Sequence, residues 1–188
     1  MKFTLVYAKI FPSSQSQGWT IHFLERASRY WFTAQAGLKD QQLFIDGVQS
    51  AWEWMKTCDG IQWFTDGERR YGQELWKLAS VSLNAEECHP DYGHRKVWRD
   101  GLEVAMKVKG FQANRRVKWV KWVKAEHPFT AISPASEVHA NHNEAHNAAL
   151  RRRCSAYRKR QNLYAKKQSG FQRVLDVQRL IHNWVRPH

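Results

Sequence analysis

Two carboxylates in this chain stand in contexts where they could do chemistry. Asp66 follows the short apolar run Ile61–Thr65 (IQWFT) and precedes Gly67. A carboxylate at the end of an apolar strand sits where α/β sheets place their ligands. The glycine after it allows a sharp turn and close approach of a substrate backbone. Glu144 lies in NHNEAHNAALRRR, among small and polar residues, with Arg151, Arg152, Arg153, Arg158, Lys159 and Arg160 directly behind it. Carboxylates that hold a divalent ion beside guanidinium groups suit a phosphodiester substrate. Plainer readings stand beside these. Asp66-Gly67 is also an ordinary turn pair. Asn141 and Glu144 also have the spacing of a helix cap with an acid at its third position.

The histidines offer a rival chemistry. His142 and His146 are four apart, the spacing of paired zinc ligands on a helix, and His139 lies three before. The order HNEAH lacks the glutamate immediately after the first histidine that a zinc peptidase needs. The better reading makes these histidines polar neighbours of the carboxylate or of a nucleic acid.

The elements that must position these groups follow from periodicity. Phe3–Ile10, Trp19–Leu24 and Tyr30–Ala36 are rich in β-branched and aromatic residues and read as strands, the latter two as a hairpin. Asp40 caps a helix through Lys56, with Leu43, Phe44, Val48, Ala51, Trp52 and Met55 at helical spacing. Gly47 weakens that helix by about 1 kcal/mol relative to alanine. After the Ile61–Thr65 strand, Glu68–Ala79 reads as a helix with Tyr71, Leu75, Trp76 and Leu78 as its apolar positions. Residues 84–137 carry fewer signals. Val117–Lys124 (VKWVKWVK), with Lys118, Lys121 and Lys124, reads as a strand or an extended basic arm. Helical signals return from Ser136, over 141–165 and 170–185. Phe171, Val174, Leu175, Ile181 and Trp184 of the second helix are expected to face a core. Strand, strand, strand, helix, strand, helix suits a mixed sheet covered by helices.

Charge gives the partner class. Residues 1–100 hold 12 Lys+Arg against 12 Asp+Glu, whereas residues 101–188 hold 18 against 5 and so carry the whole net charge of +13. Such asymmetry points to a polyanion, nucleic acid before an anionic membrane surface. Cys58, Cys88 and Cys154 are scattered, with no CxxC, so neither a disulfide framework nor a zinc-cysteine site is expected, and a reducing cytoplasm fits. MKFTLVYAKIFPSSQ lacks the features of a secretory signal, and no apolar run approaches the length of a membrane span. At 188 residues the chain suits one domain.

These motifs carry a resemblance. WFTDGERRYGQELWKLA, HPDYGHRKVWRDGLEVAMK and EVHANHNEAHNAALRRRCSAYRKRQNLYAK, with VQRLIHNWVRPH at the end, resemble the insertion-sequence-one type of DDE transposase over roughly Trp19 to His188. The resemblance implies an RNase H-like α/β core of about four to five strands flanked by helices, in one domain spanning 1–188. It implies an insert, 84–137, before the final catalytic helix, and basic C-terminal helices over 138–188. By it, Asp66 and Glu144 are the second and third catalytic acids and ligands of Mg²⁺ (or Mn²⁺). The partners it implies are element-end and target DNA. A homodimer or association with full-length transposase is expected, and a cytoplasmic, nucleoid-associated location. For DNA contact the sequence offers Arg151, Arg152, Arg153, Arg158, Lys159, Arg160, Lys118, Lys121 and Lys124, together with Arg173, Arg179 and Arg186.

One departure matters. The family's first aspartate lies on the first strand, and here that window, MKFTLVYAK, holds no acid. The family's N-terminal end-recognition region is also missing, so a transposase gene product truncated at its start is expected. The alternative function is a non-catalytic DNA-binding remnant or inhibitor of the full-length enzyme.

Overall fold

A computed structural model describes residues 2–9, 18–38, 40–65, 68–83, 96–111, 118–124, 141–157 and 167–185. The chain is a mixed α/β protein. Its main sheet has six strands: β1 (Lys2–Lys9), β2 (Gly18–Glu25), β3 (Trp31–Leu38), β4 (Ile61–Thr65), β7 (Leu102–Phe111) and β8 (Lys118–Lys124). A separate two-stranded ribbon pairs β5 (Ser80–Ser82) with β6 (Lys96–Trp98). The spatial order in the main sheet is β3-β2-β1-β4-β7-β8. The first three strands form an antiparallel meander, β4 and β7 run parallel to β1, and β8 returns antiparallel.

Two of these strands revise the expected outline. Residues 102–111, inside the stretch read as an insert, form β7, a strand of the main sheet beside β4. The basic VKWVKWVK segment is β8, paired along β7, with Lys118, Lys121 and Lys124 opposite Phe111, Val108 and Ala105. The main sheet therefore has six strands, against the four to five expected.

Helices cover both faces of the sheet. On β2, Ile21 and Phe23 point to one face while Thr20, His22 and Leu24 point to the other, the period-2 alternation of a strand buried on both sides. Helices α1 (Gln41–Met55) and α2 (Arg69–Ala79) cover the first face. All six apolar residues expected of α1 are buried there, and the Asp40 carboxylate accepts the Leu43 N–H at 3.0 Å. Gly47 suits the close packing of α1 on β2: a Cβ there would meet Ile21 Cγ2 at 3.2 Å, a contact that asks one of them to give by a few tenths of an ångström. On α2, Tyr71 and Leu75 are buried as expected, but Leu78 is exposed. The turn of α2 instead buries Glu74, which binds Lys77 and Gln41.

The second face is covered by α3 (Asn141–Arg153), a 3₁₀ turn (Ser155–Tyr157) and α4 (Gln168–Leu180), which continues as a π-helical turn (Ile181–Val185). Leu24, Trp31, Ala34 and Ala36 of the sheet pack there with Leu150, Cys154, Tyr157, Phe171 and Leu175. The Tyr157 hydroxyl donates to Thr20 Oγ1 at 2.9 Å, and burial pushes its pKa well above the ordinary phenol value despite that bond.

Helix α4 lies along the free edge of β3. Gln172 donates to the Ala34 carbonyl and accepts the Ala36 N–H, at 2.9 and 2.8 Å. Gln168 donates to the Ala36 carbonyl, Arg179 to that of Phe32, and Asn183 brackets both backbone groups of Trp31. An edge strand's bare donors and acceptors are thereby occupied. This arrangement overturns part of the expected core. Phe171 and Leu175 are buried, but Val174 and Trp184 are exposed, Trp184 by 75%, and Ile181 is half-buried. Among the described residues no helix is long and apolar enough to cross a membrane.

Candidate nucleic-acid interface

Strand β4 ends at Thr65, which is buried, and Asp66 and Gly67 lie outside the described residues. Strand β1 runs parallel to β4, with Thr4 opposite Phe64. No residue of β1, KFTLVYAK, is acidic.

Helix α3, which carries the other candidate acid, packs against β1. Glu144 lies in its first turn and is exposed. Being half-positive, a helix N-terminus favours a carboxylate there. Arg151, seven residues on, shares its side of the helix and is exposed, as are Arg152 and Arg153. Asn147, one turn after Glu144, is buried with Asn143, His146 and Leu150 on the stripe facing the sheet. Arg158, Lys159 and Arg160 lie outside the described residues, as do the side chains of Lys118, Lys121 and Lys124.

The buried stripe of α3 is unusually polar. Asn143 is 0% exposed, and its amide finds no hydrogen-bond partner among the described residues, nor does the Asn147 amide oxygen. Buried polar groups without partners cost about 1–3 kcal/mol each, so they concentrate where a ligand or a function requires them. A helix selected only for stability would carry apolar residues on this side.

The same stripe holds an aromatic cluster that the sequence did not reveal. His22 of β2 and Trp31 of β3 meet His146 of α3 and His182 of the π turn. Ring centroids lie 4.9 Å apart for His22–His146, 4.8 Å for His146–His182 and 4.5 Å for Trp31–His146, all edge to face. Burial, and then the neighbouring His182, lower the His22 pKa to about 3, so His22 is neutral at ordinary pH. The signal for it was a lone histidine in GWTIHFLE, on the side of β2 that also carries Thr20 and Leu24. Among the described residues no three His, Cys, Asp or Glu side chains form a group that could hold a metal ion. The zinc pairing of His142 with His146 therefore gains no third ligand among them.

No protein-family model, curated protein or solved structure matches the chain.

Proposed function

We propose that this chain is an RNase H-like nucleic-acid-binding core of the insertion-sequence-one transposase type, with two of the three acids that strand cleavage needs. The single observation that carries the reading is the packing of α3, with Glu144 in its first turn, against β1, the strand that pairs in parallel with β4. The strand order supports it: an antiparallel meander β3-β2-β1 joined to parallel β4 and β7, with α1 linking β3 to β4 and α2 following β4. The charge of residues 101–188 and the exposed Arg151–Arg153 supply the phosphate-binding side.

In this reading Asp66 and Glu144 would hold a divalent ion, Mg²⁺ or Mn²⁺. When bound, the ion would neutralise charge on the phosphodiester and polarise it toward attack. The chain's own part is orientation. Helix α3 fixes the Glu144 carboxylate at its N-terminal turn, the β4 strand fixes the approach to Asp66, and the arginines hold strand phosphates. Mg²⁺ takes six oxygens in near-ideal octahedral geometry. Two carboxylates, with none on β1, leave most of that shell to water and substrate, which weakens the site.

The acid-free β1 favours one second reading, a non-catalytic DNA-binding remnant that occupies element ends or joins the full-length enzyme. One experiment addresses both. The purified chain is mixed with duplex DNA across a salt series, then with Mg²⁺ or Mn²⁺, and nicking is followed. If about six phosphates are contacted, the log–log affinity slope is about −5. Binding with little or no nicking fits the two-acid core. Robust nicking abolished by Asp66→Ala means that another group replaces the missing acid. Salt-independent or absent DNA binding rejects the proposal.

A further inference from the structure

A second basic site lies on the other side of α3. His142, Ala145, His146, Ala149 and Arg153 fall on one stripe of the helix and line an open cleft of about 640 Å³. Glu144 and Arg151 are turned away from it, about half a helix turn round. The opposite wall is the β2–β3 turn, with Leu24, Ala27, Ser28 and Arg29, and His182 of the π turn closes one end. Among the described lining residues two are arginines, three are histidines and none is acidic.

The walls are cross-tied. The buried Glu25 carboxylate accepts the Ala27 N–H and both the N–H and hydroxyl of Ser28, which pins the turn. The imidazole Nε2 of His182 lies 2.8 Å from the Arg29 carbonyl, joining the π turn to that same turn. Arg29 takes a left-handed backbone, φ 62°, as the sole non-glycine residue to do so among those described. That conformation costs of order 1 kcal/mol and persists where the surroundings require it. Here it places an arginine at a cleft position where turn chemistry favours Gly or Asn. Alanines 145 and 149 leave the volume open. Two arginines among the described lining residues, with no acid among them, suit a tetrahedral oxyanion, and the cleft has the size of sites that hold a nucleotide-sized ligand.

We propose that this cleft seats one phosphate group of a nucleic-acid strand, on the side of α3 away from Glu144. The proposal rests on the nucleic-acid reading above for its occupant, and on the cleft alone for its phosphate chemistry. The chain would then grip a strand on both flanks of one helix, which fixes the helix's angle to the backbone.

The test uses the full chain in two arms. In the first, inorganic phosphate is titrated by calorimetry while the imidazole proton signals of His142 and His182 are followed by NMR. Wild type is expected to bind with a millimolar constant and shift both signals. Arg29→Gly together with Arg153→Gln should weaken that binding at least tenfold. Glycine suits the left-handed backbone, so this variant should fold, and Ala149→Glu, which puts a carboxylate in the cleft, should weaken binding equally. Lys56→Gln on α1 removes one charge that does not line the cleft and should change nothing. In the second arm, the DNA affinity of Arg29→Gly alone is measured across salt, because Arg153 also belongs to the exposed arginine run, and the log–log slope should be shallower by about one. Phosphate binding that is absent, or indifferent to all cleft variants, overturns the proposal. So does phosphate binding with DNA slopes that match wild type, because the occupant is then a small free anion. If wild-type protein binds no DNA, the functional reading falls and takes this occupant with it. If wild type binds DNA and only the cleft variants are silent, this inference alone falls.

Discussion

The imidazole of His146 on α3 lies edge-on to that of His22 on β2, ring centroids 4.9 Å apart and planes at 65°. This contact ties the helix that carries Glu144 to β2, the second strand from the β3 edge of the sheet. It also makes the seating of that helix sensitive to acid.

The sign follows from His22. Its folded pKa is lowered to about 3, while the unfolded chain titrates near the ordinary 6.5. Between those values the unfolded chain binds a proton that the folded one refuses. Stability is therefore full above pH 6.5 and falls as pH drops toward 3, by up to about 1.4 kcal/mol per pH unit from this group. His22→Phe, which keeps a ring but cannot titrate, should flatten that dependence. Urea unfolding of both proteins at pH 7.5 and pH 5 measures it. Equal losses in the two proteins would remove His22 as the cause.

Gln172 is expected to matter more than an exposed amide should. It bridges Ala34 and Ala36 on the open edge of β3. Gln172→Leu should cost about 1–2 kcal/mol for the two lost bonds. It should also expose an edge that pairs with other chains, seen as concentration-dependent light scattering. A monodisperse variant of unchanged stability would show that the edge needs no cover.

Gly101 turns the chain between β6 and β7 with φ 75°, and a Cβ there would stand 2.0 Å from the Asp59 carbonyl oxygen. The Gly101 carbonyl also accepts the Ile61 N–H at 2.7 Å, at the start of β4. Gly101→Ala should therefore destabilise the chain by about 2 kcal/mol or more and loosen β4. A variant with a melting temperature equal to wild type would contradict this placement of the turn.

The exposed Arg151–Arg153 run should set the salt response of DNA binding. Replacing all three with alanine should make the log–log slope shallower by about two to three, with little change in stability because these side chains are exposed. A slope equal to wild type, measured by fluorescence anisotropy, would take these residues off the DNA-facing surface.

Much of the sheet and its first helix was legible in the sequence, because each level of signal agreed there. Asp40 is followed by apolar residues at helical spacing, and the cap and the buried face both follow. The hairpin β2–β3 showed in two runs of β-branched and aromatic residues. The segment of β8 stayed open between a strand and an extended basic arm, since VKWVKWVK repeats every three residues and matches neither a period of 2 nor one of 3.6. Val174 and Trp184 were assigned to a core for a different reason. Helical periodicity marks an apolar stripe, but α4 uses its polar stripe of Gln168, Gln172, Arg179 and Asn183 to bind a strand edge. Phe171 and Leu175 stay buried, while Val174 and Trp184 are left outward. At the candidate site the carboxylates, arginines and α3 were visible. His22 and His182 were not, because they lie more than a hundred residues apart in the chain and only the fold brings them to His146.

The central claim is that Asp66 and Glu144 act on one divalent ion beside bound DNA. Mn²⁺ titration of the full chain, followed by electron paramagnetic resonance with and without DNA, tests it most directly. The expected result is one weak site, strengthened by DNA and lost in both Asp66→Asn and Glu144→Gln. Mn²⁺ binding that either variant leaves intact, or no binding in the presence of DNA, would contradict the account.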